Sequence, residues 1–122
     1  MTGADMPRPL SGNEQAVIAH LLAVSFHGRD ELRAQLPFTT VDGRCGCGCA
    51  TVNLAVDRAA APAQVLSSTP VSADLSDGEY YAGIVLLVDD EGYLSCLEVY
   101  AIGDEPVRQL PPAEQINARP QR

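Results

Sequence analysis

The sequence predicts an α+β fold, with two N-terminal helices packed on a mostly antiparallel sheet of about four strands. Three observations carry this expectation. Apolar residues recur at helical spacing only in the first third of the chain. Alternating or wholly apolar runs of strand length fill the rest. The connections between the last of those runs are too short for parallel crossovers. At 122 residues, 46% of them hydrophobic and 20% charged, the chain has the size of one domain and buries enough apolar surface to fold without disulfides or metal.

Residues 1–10 contain two prolines and a glycine without pattern and read as a flexible lead to a single domain over 11–110. Ser11 and Glu14 then form a capping-box spacing. Behind them Val17, Ile18, Leu21, Leu22 and Phe26 recur at helical spacing, with Gly28 as the expected stop. "RDELRAQL" reads as a second, short helix with Leu32 and Leu36 inward, ended by Pro37.

Strand patterns follow. "FTTVDG" (38–43) is the first, and Thr51 to Asp57 the second, with Val52, Leu54 and Val56 on one face. Residues 59–79 form a Pro- and Ser-rich connection with room for a short edge strand near Val71–Leu75. "YYAGIVLLV" and "YLSCLEVYAI" make a hairpin around "DDEG", where Gly92 supplies a left-handed turn residue. "GIVLLV" is apolar on both faces, so its second face needs cover from the long connection or from a second subunit, which leaves a homodimer open. Residues 111–122 are expected as an irregular tail.

Charge narrows the partners. The net charge is −8, and every basic residue is arginine, a usage that suggests a GC-rich bacterial genome. Between Ala59 and Val107 lie Asp74, Asp77, Glu79, Asp89, Asp90, Glu91, Glu98, Asp104 and Glu105, and no basic residue. Such a surface repels phosphate backbones, so nucleic acid is not an expected partner. A basic protein or a metal ion is favoured, against the plainer reading of solvated acidic loops. No apolar run reaches the roughly 20 residues of a membrane span. "MTGADMPRPLSGNEQ" lacks the basic and apolar regions of a secretory signal, which makes the cytoplasm the expected compartment.

The unusual segment is "DGRCGCGCATV", with Cys45, Cys47 and Cys49 separated by Gly46 and Gly48. Alternate residues of an extended strand sit roughly 6.6 Å apart, so Cys45 and Cys49 would be roughly 13 Å apart and could not share one metal. Glycine reaches positive φ cheaply, and a curled segment could gather the sulfurs on one side. With Cys96 from the last strand they would make a four-thiolate zinc site, and two or three of them would suffice for copper(I). A disulfide across one residue would be strained and easily reduced. The alternative is a tight turn whose cysteines pack as small hydrophobes. His20 and His27 return to one helix face but have no carboxylate at ligand spacing.

Hydrolase, zincin, Walker and dinucleotide motifs do not occur, so an enzyme is disfavoured. Through "GRCGCGC", "GIVLLVDDEGYLSCLEVYAI" and "GDEP", over residues 14 to 112, the chain resembles a group of small uncharacterised actinobacterial proteins; that resemblance implies no function. The expectation is therefore a non-catalytic protein that binds a basic protein partner, in the manner of an inhibitor or immunity protein. Its contact residues would be Asp89, Asp90, Glu91 and Tyr93, although core and cross-strand packing also explains the hairpin tyrosines Tyr80, Tyr81, Tyr93 and Tyr100. The alternative is a zinc or copper(I) module built on Cys45, Cys47, Cys49 and Cys96.

Overall fold

A computed structural model describes residues 7–44, 49–74, 81–102, 107 and 109–120. In chain order it contains β1 (Arg8–Pro9), α1 (Gly12–Leu21), α2 (Arg29–Gln35), β2 (Thr39–Arg44), β3 (Val52–Val56), β4 (Val71–Asp74), β5 (Tyr81–Val88), β6 (Leu94–Ile102) and β7 (Asn117–Pro120). The strands form one sheet in the order β1-β2-β3-β6-β5-β4-β7. Every pairing is antiparallel.

The α+β class holds, and the sheet is larger than expected: seven strands rather than about four. The additions are its two edges. β1 lies in the lead and β7 in the segment read as an irregular tail; each is short and contains proline, so neither has a strand signature. β4, expected at an edge, runs between β5 and β7. Proline in both outermost strands fits their place, because sheets confine proline to edges.

Register explains the core. Val52, Leu97, Leu86 and Val71 are successive cross-strand partners, and so are Val99, Ile84 and Ala73. These two rows join Val17, Ile18, Leu21, Leu22 and Leu32 of the helical layer in one buried cluster. Where the β3–β6 ladder ends, the Thr51 hydroxyl takes over. It accepts from the Val99 N–H at 2.8 Å and donates to the Val99 carbonyl at 3.0 Å.

The expected capping box is present. The Ser11 hydroxyl accepts from the Glu14 N–H, and the Glu14 carboxylate accepts from the Ser11 N–H at 2.8 Å. The same carboxylate takes both arms of the Arg8 guanidinium at 2.9 Å, which fastens β1 to the start of α1. Two turns of α1 also hold the C-terminal segment. The Asn13 amide donates to the carbonyls of Leu110 and Pro111, and His20 Nε2 donates to that of Ile116 at 2.7 Å. These contacts deliver β7 to the outer side of β4.

Helix α1 stops earlier than its apolar spacing suggests. It ends at Leu21, and the Arg29 guanidinium, from the start of α2, donates to the carbonyls of Leu22, Ala23 and Val24 in the turn that follows. Gly28 is therefore the left-handed residue that opens α2 (φ +91°), not the one that closes α1. Pro37 likewise lies in a 3-10 turn, Leu36–Phe38, after α2 has ended. No helix among the described residues is long and apolar enough to cross a membrane.

Burial raises the Glu14 pKa, but hydrogen bonds from Arg8 and Ser11 and the charge of Arg8 outweigh it, so the net value is lowered. A lowered folded pKa contributes stability above the unfolded value, near 4.3, and loses it as pH falls through the folded one. Glu14→Gln is expected to cost roughly 1 kcal/mol at pH 7 in denaturant melts, with the difference from wild type shrinking as pH falls below about 4.

Candidate functional site

Sequence reasoning nominated a thiol cluster and an acidic hairpin tip. Of the first, Cys45 and Cys47 lie outside the described residues. Cys49 is buried, and Cys96 is half-buried on β6 opposite Asn53 of β3. The Ala50 N–H, next to Cys49, donates to the Val107 carbonyl at 2.8 Å. Burial first, then the neighbouring Glu98 and Cys49, push the Cys96 thiol up to about 11. At neutral pH it is protonated and a poor nucleophile. β6 thus places Cys96 where the charge of Cys49 acts on it. Among the described residues, no three His, Cys, Asp or Glu side chains are grouped so as to hold a metal ion.

The hairpin tip has a tightly determined geometry. Asp89 Oδ1 accepts from the backbone N–H groups of Glu91 (2.9 Å) and Tyr93 (3.0 Å). Gly92 adopts φ +92°, and a Cβ there would lie 2.3 Å from the Ala63 carbonyl oxygen, so no side chain fits. The expectation of a left-handed glycine in "DDEG" is met. Arg58 folds back over this turn: its guanidinium lies 3.2 Å from Glu91, 3.8 Å from Asp89 and 3.9 Å from the Tyr93 ring centroid. Tyr93 itself is only 8% exposed and donates its hydroxyl to the Ala60 carbonyl. It is a packing residue beneath the tip, and not the exposed contact expected of it. Asp89 is committed to the turn. Asp90 and Glu91 remain exposed.

Beside this turn runs a groove of about 530 Å³, walled by residues 62–68 on one side and 88–92 on the other. The walls are joined by two backbone hydrogen bonds at 2.8 Å, Ala63 N–H to Gly92 O and Val88 N–H to Ser68 O. Gln35, fully buried at the end of α2, locks one end of the groove. Its Nε2 donates to Ala61 O (3.0 Å) and Gly92 O (2.9 Å), and its Oε1 accepts from the Leu94 N–H (3.0 Å). Leu66, at 86% exposure, projects from the loop wall.

Three residues of this site escaped the sequence reading: Gln35, Arg58 and Leu66. Gln35 had a usable signal, because it stands three residues after Leu32 on the inward face of a short helix, where a polar side chain needs partners. Arg58 stands one residue before the acidic stretch and folds back onto it. Leu66 sits in a stretch without periodicity, which carries no signal.

Compared with known proteins, the chain matches no family model, no curated protein and no solved structure.

Proposed function

We propose that the protein is a non-catalytic binding protein that engages a basic protein partner through the end formed by Asp57–Ser68 and the Asp89–Gly92 turn. The observation that carries this reading is the charge balance of that end. That end carries Asp57, Asp89, Asp90 and Glu91 against one arginine, Arg58, which is occupied by Asp89, Glu91 and the Tyr93 ring. Asp90 has no ion pair among the described residues, and its charge is left for a partner. An inhibitor or immunity role suits such a face, because acidic groups held on a rigid turn offer a preformed complement to a basic surface.

The test is titration with a labelled arginine-rich peptide, with a glutamate-rich peptide as control. Asp90→Asn and Glu91→Gln are each expected to weaken binding about twofold to fivefold while leaving the fold intact. Raising salt from about 50 to 300 mM should weaken it further. Affinity indifferent to both the substitutions and salt would refute the reading.

A second reading has the Cys49–Cys96 proximity in its favour. With Cys45 and Cys47 they would supply thiolates for zinc or copper(I) once the metal displaced their protons. Elemental analysis of protein purified without chelator should then give about one metal per chain, lost in Cys96→Ser. Metal content below about a tenth per chain, or unchanged by the substitution, removes this reading.

A further inference from the structure

We propose that the groove between residues 62–68 and 88–92 receives an extended segment of the protein partner in which an apolar side chain is flanked by arginine or lysine. The inference rests on the reading of the protein as a binder of basic partners, and it names what part of such a partner is recognised. Both walls are consecutive stretches of chain, and an extended segment of a few residues is the occupant that would run between them. Its volume of about 530 Å³ lies within the range of sites that hold several side chains. Cross-wall hydrogen bonds from Ala63 and Val88 fix the two walls relative to each other without a ligand, so little ordering is needed on binding.

The two walls differ in chemistry. Pro62, Val65 and Leu66 give the loop wall an apolar surface, and Leu66 is the most exposed large hydrophobic side chain described. Asp90 and Glu91 rim the hairpin wall. A purely apolar ligand would cover Leu66 but strip water from Asp90 without replacing it. A purely basic one would pair the carboxylates and leave Leu66 in water. A segment carrying both satisfies both walls. A second copy of this chain is the wrong occupant, because its own acidic tip would meet like charge.

The experiment uses the full chain and three fluorescein-labelled peptides of roughly ten residues, alternating arginine with leucine, arginine with serine, and glutamate with leucine. The arginine–leucine peptide is expected to bind about tenfold more tightly than arginine–serine, the worth of one buried apolar side chain. The glutamate–leucine peptide should not bind. Leu66→Ser should abolish the tenfold preference and leave the arginine–serine affinity unchanged. Leu66 is almost fully exposed, so the substitution should not shift the melting temperature. Backbone amide shifts induced by the peptide should concentrate in 62–68 and 88–92.

If Leu66→Ser keeps the preference, or the shifts lie elsewhere, the groove assignment is overturned while the charge-based reading stands. If neither arginine peptide binds in a salt-dependent way, both fall. A concentration-dependent increase in mass that Leu66→Ser abolishes would make the occupant a second copy and overturn the peptide.

Discussion

The side-chain amide of Gln35 is the constraint on which the rest of this site depends. A fully buried amide costs free energy unless its donors and acceptor are paired, and those of Gln35 are paired with two separate chain segments. It bonds the loop after β3 at Ala61, the hairpin turn at Gly92 and the start of β6 at Leu94. Its own backbone carbonyl accepts from the Thr39 hydroxyl at 2.9 Å, which ties the same residue to β2. Two stretches distant in sequence, the loop after β3 and the β5–β6 hairpin, are thereby set around one side chain in a low-dielectric interior, where such bonds are strongest. Gly92 completes the geometry, since its turn can approach Ala63 closely only without a Cβ.

The opposite end of the molecule is organised by α1. Glu14 closes the capping box and holds Arg8, while Asn13 and His20 hold the carbonyls of residues 110, 111 and 116. Short terminal strands with weak propensity of their own are thus added to a sheet whose central strands are set by apolar rows. Polar work is divided between the two ends. One closes the sheet, and the other builds a groove and leaves part of its charge unpaired.

The legible part of the fold is the part governed by periodicity. Val17, Ile18, Leu21 and Leu22 announce α1, and the alternation of Val52, Leu54 and Val56 announces β3. β5 and β6 read directly as long apolar runs. What periodicity does not encode was missed. Arg8–Pro9 and Asn117–Pro120 become strands because α1 holds the chain beside them, and a proline-containing dipeptide or tetrapeptide has no pattern of its own. α1 ends before Phe26, and the turn beyond it is held by the Arg29 side chain, which apolar spacing does not register. At the site, the acidity of "DDEG" and its left-handed glycine were plain. Packing was one of two readings of Tyr93, and what covers it was not legible, because Arg58 and Ala60 arrive from 33 or more residues away in sequence. The adjacency of β3 and β6, which brings Cys96 within reach of Cys49, is a matter of strand order and equally invisible in composition.

Residue-resolved amide hydrogen exchange on wild type and Gln35→Met tests the central claim most directly, because methionine keeps the volume and removes the hydrogen bonds. The account predicts that the Leu94 and Ala63 N–H groups lose protection by about tenfold to a hundredfold, while Ile84 and Leu97 in the middle of the sheet keep theirs. Wild-type protection at Leu94 and Ala63, or an equal loss across the whole sheet, would contradict it.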